Sequence, residues 1–499
     1  MLKRVFMAPD PGRLRLRHAS RAVLGIGLAV ALCGLAGRGL VGAVAGGLAA
    51  LLALFTVTDA TVRAQAVTTA LLPAVGLPVL ALAAGLHAYP VARDLAFLAV
   101  VGAGVYARRW GPRGHSLGVF AFMTFFMTQF LHAVPRQLPG LYAAVLLSLL
   151  ASSLVRFALW CYERGRPPGA TPPAPHGRGW ARPTTRQAVQ ATVGAAFALV
   201  AGQWLSEDRW YWAVGATWWI FVNTASRGET LVRGFRRVLG TVLGMVLGLA
   251  VAVPLHGAPV PSAVLVAVCV FGIFYTAAVS YTWMMLAVTL MAESLYGLLG
   301  VLDPGLILLR VAETGVGALG AAFAVALVLP LTTHTVTDRW VERALHAVHG
   351  CTAAAAARLA GDGTADPALL AGELEALLGR VRMALAPLVH PLNPLRERKA
   401  RARQVLALLD ACARDAHGLV AVAGDPDASH DARLTAACRG VEAAVESLVG
   451  AVPERAPTAG PGVPGRHPGA EQALAHLHGL ERALVELAAP LSGSRLLRV

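Results

Sequence analysis

Along the first two thirds of the chain, apolar residues come in long uninterrupted runs instead of alternating with polar ones. Twelve such runs stand out, at 20–37, 39–57, 66–88, 91–107, 116–134 and 139–161, then at 187–205, 211–226, 236–256, 261–280, 281–300 and 305–330. Each has close to the roughly 20 residues that carry a helix across about 30 Å of hydrocarbon. The boundary at 280/281, marked only by "SYTW", rests on length alone. After Pro330 the pattern changes: segments such as "ALLAGELEALLGRVRMALAPLV" and "HDARLTAACRGVEAAVESLVGAV" carry apolar positions at helical spacing with charges between them. The predicted fold class is all-α: a polytopic membrane protein with two parallel six-helix transmembrane halves and a cytoplasmic helical bundle. Its expected parts are a basic cytoplasmic lead-in at 1–19, a first transmembrane half at 20–161, a linker at 162–186, a second half at 187–330 and a helical domain at 331–499.

Charge places these parts about the membrane. Basic and acidic residues number 25 and 10 up to residue 330, and 18 and 18 beyond it, so the whole formal charge of +15 belongs to the apolar part. With the N-terminus inside, "ARRWGPRG", the Pro- and Gly-rich linker and "SRGETLVRGFRR" all fall on the cytoplasmic side, as the positive-inside rule requires. The outer loops carry single arginines at most. Arginine in this setting reports orientation, which argues against nucleic-acid binding. The lead-in is too polar for a cleaved signal peptide. Six cysteines without CxxC spacing read as small core residues, and no metal or other cofactor is expected. With no P-loop, HExxH or GxSxG, neither ATP-driven pumping nor hydrolysis has visible machinery, and no enzyme is expected.

The halves resemble each other. "SRAV" at Arg21 parallels "TRQAV" at Arg186, and "TVTDATVRAQ" parallels "IFVNTASRGE", both at an offset of about 165 residues. A parallel repeat implies a pseudo-two-fold axis along the membrane normal, with any pathway between the halves.

Within "GFRRVLGTVLGMVLG", residues four apart share a helix face. Gly240, Gly244 and Gly248 thus form a bare packing stripe in line with Arg236, and Arg233, Arg237 and Thr241 form the neighbouring stripe. The planar donor fork of arginine suits a carboxylate, so Arg233, Arg237, Thr241, Asn223 and Arg227 are candidates to meet an anionic substrate at the inner mouth. "RVAETGVG" (310–317) echoes "RVLGTVLG" (237–244), with Gly317 as a further packing glycine. Ionisable groups inside apolar spans are functional suspects by default. Glu293 is a candidate proton-coupling carboxylate, and Arg310 and Glu313, three apart, are expected to pair. "RWYWAVGATWWIFVN" reads as an interfacial belt at Trp210 to Trp212, with Trp218 and Trp219 deeper and able to line a cavity.

The stretch "YWAVGATWWIFVNTASRGETLVRGFRRVLGTVLGMVLG", followed by "RVAETGVGALGAAFAVALVLP", resembles the fusaric acid resistance family, whose members include aromatic carboxylic acid exporters. The resemblance covers about 185–330. It rests on Tyr211 and Trp212, on Arg237, Gly240, Thr241 and Gly244, and on Arg310, Glu313, Thr314 and Gly317; the family's acidic position is more often aspartate. The first half keeps the span plan without an RxxGT block. More distantly the chain resembles plant aluminium-activated malate channels. The resemblance implies a secondary transporter of the plasma (inner) membrane with both termini cytoplasmic. It would sit in the lipid bilayer and export small organic anions, aromatic acids among them, across it, and could form a homo-oligomer through its tail. The alternatives are a passive anion channel and a non-transporting scaffold with a regulatory tail.

Overall fold

The computed structural model describes residues 13–162, 182–222, 224, 227–328, 333–359, 364–389, 396–423, 432–449 and 468–492, and all regular structure among them is helical. Most of the lead-in and linker lie outside the described residues. The chain divides at Pro330 into two compact units.

The first unit contains twelve α-helices among its described residues. They are α1 (Leu14–Leu35), α2 (Gly39–Thr56), α3 (Val62–Gly85), α4 (Pro90–Tyr106), α5 (Gly111–Phe130) and α6 (Leu138–Tyr162), then α7 (Pro183–Leu205), α8 (Tyr211–Phe221), α9 (Arg227–Val251), α10 (Pro259–Thr276), α11 (Tyr281–Leu298) and α12 (Pro304–Leu327). Proline begins α4, α7, α10 and α12, where its missing N–H costs no helix bond. Thr61 and Asp303 cap α3 and α12 by accepting from the Ala64 and Gly305 amides. α10 and α11 are separate helices, so the boundary near 280 is a turn.

Nine stretches among the described residues are long and apolar enough to cross a membrane. Pro90–Phe130 counts as one of them, because a single 3-10 turn, Ala107–Trp110, joins α4 to α5. Gly111, at φ 74°, turns the chain there. The other two helices fall short for different reasons: α8 has only 11 residues, and α11 carries Glu293 among its 18.

The pairing of helices repeats along the chain. α1 packs on α2 and α6, α2 on α6, α3 on α5 and α6, and α4 on α5; α7 packs on α8 and α12, α8 on α12, α9 on α11 and α12, and α10 on α11. Between the two sets the contacts are reciprocal, α4 on α7 and α1 on α10. The register is fixed at helix ends. α2 ends at Thr56 and α8 at Phe221, while α3 begins at Val62 and α9 at Arg227, an offset of 165 residues in both cases.

Polar side chains tie these seams. Between α4 and α7, Gln203 Nε2 donates to Asp94 Oδ2 at 2.6 Å, and from the 3-10 turn after α4 Arg108 Nη1 donates to Gln187 Oε1 at 3.2 Å. Across α1 and α10, Arg15 Nε donates to the Tyr275 carbonyl at 3.1 Å, with its guanidinium 4.2 Å from that ring's centroid. Carbonyls at the C-terminal end of α2 accept from Arg156, at 2.8 and 2.9 Å, and Phe221 at the end of α8 accepts from Arg108 at 3.3 Å.

The second unit holds α13 (Thr333–Leu359), α14 (Pro367–Val389), α15 (Arg396–Ala423), α16 (Ala432–Val449) and α17 (Pro468–Ser492). They share one apolar core, including Leu345, Leu374, Leu409, Val441 and Leu484. Cys351, Cys412 and Cys438 are buried in it as free thiols. Burial pushes Cys412 and Cys438 up to about 12, the chemistry of inert core residues.

Candidate functional site

α2 and α5 face α8 and α11 around a cavity of about 110 Å³. By the 165-residue register these are two equivalent pairs, so the cavity lies where the two sets of six helices meet. Its wall is soft and aromatic. Phe55 of α2 and Met123, Phe126, Met127 and Phe130 of α5 oppose Trp212 and Trp219 of α8 and Met284, Met285 and Met291 of α11. Methionine adapts its shape to a guest, and its sulfur is attracted to rings. An apolar cavity of about 150 Å³ holds a benzene ring, so the volume here is of the order of one ring.

Of the residues lining this cavity, Arg237 alone is charged. It is 6 % exposed. Its Nη1 donates to Tyr281 Oη at 3.2 Å and lies 3.1 Å from Met285 Sδ, while its Nε is buried without a hydrogen-bond partner. The unpaired N–H of a buried guanidinium carries a desolvation cost that a carboxylate oxygen would remove. Arg233 supports it from behind: the guanidinium lies 4.0 Å from the Tyr281 ring centroid, and Nε donates to the Trp219 carbonyl at 3.1 Å.

The glycine stripe seats α9 on α11. A β-carbon at Gly240 would stand 2.5 Å from the Thr282 carbonyl oxygen, one at Gly244 would stand 2.7 Å from Thr289 Cβ, and one at Gly248 would overlap the Glu293 carboxylate. Gly317 does the same for α12 on α8, where a β-carbon would stand 2.5 Å from the Ala213 carbonyl oxygen. Thr217 Oγ1 donates to the Gly317 carbonyl at 2.9 Å across that contact.

The remaining candidates separate. Thr241 is buried in the α9 contact without lining the cavity, and Arg227 is exposed at the start of α9. Asn223 lies outside the described residues. Trp219 lines the cavity, but Trp218 does not; it stacks on Phe122 with ring centroids 4.3 Å apart. The expected interfacial belt is corrected as well. Trp210 and Tyr211 are 2 % and 1 % exposed, packed against Phe97 and Phe126, because the short α8 is enclosed by its neighbours.

The expected Arg310–Glu313 ion pair is not made. Arg310 lies face-on over Trp212, 3.6 Å from the ring centroid, and both Glu313 oxygens are buried without a hydrogen-bond partner. Spacing along α12 permits the pair, but the indole of α8 claims the guanidinium. Glu293 is 1 % exposed, again with both oxygens unpartnered.

The buried charges of the second set of helices have no counterparts in the first. At the 165-residue register, Leu72 stands for Arg237, Thr128 for Glu293, Val145 for Arg310 and Ser148 for Glu313. The packing nonetheless repeats: Gly76 of α3 abuts Phe120 of α5 as Gly240 of α9 abuts Met285 of α11, the same register to within one residue. Sequence reasoning missed the methionines, whose signal was their helical spacing, 123 and 127 on α5 and 284 and 291 on α11.

No curated protein and no solved structure matches the chain. Residues 195–324, which contain Arg237, Glu293, Arg310 and Glu313, match the family model described as fusaric acid resistance protein-like. With its many apolar helices this is a multi-pass membrane protein, and the resemblance of its second set of helices to the fusaric acid resistance family holds.

Proposed function

We propose that this chain is a secondary transporter that exports small organic anions, aromatic carboxylates among them, along the seam between two parallel six-helix halves. The family match supports a membrane efflux role. The observation that carries the finer reading is Arg237: one buried cation with an unpartnered Nε in a wall otherwise built of methionine, phenylalanine, tryptophan and aliphatic side chains. Such a wall takes the ring and the arginine takes the carboxylate. The recurrent helix pairing and the reciprocal α1–α10 and α4–α7 contacts support the parallel duplication and a pathway on its axis. Arginine on the inner loops supports cytoplasmic termini in the plasma membrane, with the five-helix unit on the cytoplasmic side.

The test is exchange of radiolabelled 4-hydroxybenzoate by the purified full-length protein in liposomes. Arg237→Gln should lower exchange at least about tenfold, the loss expected when a charged hydrogen bond is removed, with Arg237→Lys between the two. Equal exchange by Arg237→Gln and the unmodified protein would refute the site. Exchange that follows the anion gradient alone, at conductances above carrier turnover, would make the protein a channel.

A further inference from the structure

The membrane unit holds a second polar cluster that the anion site does not use. Arg310 and Glu313 of α12 are 4 % and 0 % exposed, and Glu293 of α11 is 1 % exposed. Neither carboxylate has a hydrogen-bond partner, nor do Nε and Nη1 of Arg310. Arg310 and Glu313 are three apart on α12, Glu293 and Tyr296 are three apart on α11, and Trp212 joins the two helices, lying under Arg310 and donating to Tyr296 Oη; Arg310 also acts electrostatically on both acids. Around them stand Tyr211 from α8, Tyr296 from α11 and Cys269 from α10, while α9 offers Glu293 the bare backbone of Gly248. Arg209 also acts on Glu313; it is half-buried, lies 5.0 Å from the Tyr296 ring centroid, and follows Glu207 and Asp208 in the loop before α8.

Charge balance decides what such a cluster needs. Buried charges persist when they are paired; with Arg209 only half-buried beside the exposed Glu207 and Asp208, the two buried acids and one buried base leave one negative charge over. A proton is the smallest ligand that removes it. The cluster also touches the cavity: the ring beneath Arg310 is Trp212, which lines the cavity, donates from Nε1 to Tyr296 Oη at 2.7 Å and meets Phe126 edge-on at 4.8 Å between centroids.

We propose that Glu293, Arg310 and Glu313 form one shared proton site, and that Arg310 links its occupancy through Trp212 to the anion cavity. This deepens the transport reading and rests on it. With the proton bound, one acid is neutral, and Arg310 balances the other while resting on Trp212. When the proton leaves, both acids draw Arg310, and the ring that walls the cavity loses its cation. Proton entry and anion exit are thereby alternatives in one cycle.

Two readouts test it on the purified full-length protein. The first is the infrared carbonyl stretch of a protonated carboxyl, which needs no transport. At pH 8, above the range in which Asp338 keeps its proton, one such band is expected, and Glu293→Gln and Glu313→Gln should each abolish it, since either leaves Arg310 paired with the remaining acid. Glu313→Asp should keep it. The second is 4-hydroxybenzoate flux in liposomes: both glutamine variants should lose at least about tenfold of the flux driven by a pH gradient while keeping exchange within about twofold. A Glu313→Gln protein that keeps the band and the pH response would overturn the shared site, as would the absence of a band in the unmodified protein. Flux driven by a sodium gradient in place of a pH gradient would overturn the proton. A band that behaves as expected in a protein that exchanges no anion leaves the proton site standing and removes the transport reading instead.

Discussion

The carboxylate of Glu293 occupies the space that a β-carbon at Gly248 would fill. One residue's missing side chain is thus the seat of another's charge. The contact holds α9 against α11 beside the buried Glu293–Arg310–Glu313 group, so the last glycine of the stripe serves both packing and chemistry.

Gly248→Ala therefore has an expected sign opposite to that of most glycine-to-alanine changes in helices. It should destabilise the protein by about 1–3 kcal/mol, the usual cost of overpacking. Gly315→Ala, with nothing within 4 Å of its would-be β-carbon, should instead stabilise by about 0.5–1 kcal/mol. Thermal melts of the two variants in detergent, run side by side, check the pair; a Gly248→Ala melt at or above that of the unmodified protein would contradict it.

Adjacent tryptophans should fail in different assays. Trp219 lines the cavity, so Trp219→Ala should raise the KM for 4-hydroxybenzoate with a modest change in melting temperature. Trp218, stacked on Phe122, should cost about 3–5 kcal/mol of stability when cut to alanine. Kinetics and melts on both variants decide this, and identical behaviour of the two would show that the cavity wall is assigned wrongly.

A pH effect is expected outside the membrane unit. Burial first, and then the neighbouring Glu342, push the Asp338 carboxyl up to about 7 from 3.8, and its Oδ1 is buried without a partner. The folded state therefore holds this proton at pH values where the unfolded chain has released it, so the acid is neutral in its effect below about 4 and costs progressively more stability up to about 7. Asp338→Asn should melt with the unmodified protein at pH 4 and above it at pH 8. Melting curves that stay superimposed across that range would refute the shift.

Twelve apolar runs sufficed to place twelve helices, because an apolar run is a property of a window of residues, but only nine stretches among the described residues have the length and apolarity of a span, and α8 stops after 11 residues. The glycine stripe was equally legible, since a helix period dictates which residues share a face. The errors have one cause in common. Arg310 and Glu313 stand at pairing distance on their own helix, yet the guanidinium's partner is Trp212, about 100 positions away in sequence; Trp218 and Trp219 are neighbours whose rings point to different helices. Periodicity tells which face a side chain is on and leaves open what meets that face. The cavity's methionines were hidden for the same reason, being distributed over α5 and α11.

The 165-residue register carries a last consequence. Leu72 stands where its counterpart Arg237 faces the cavity, so the seam is two-fold in shape and one-fold in charge. On the proposed reading, a guest with a single acidic end is held in one orientation only, since among the described residues lining the cavity no second charge answers Arg237.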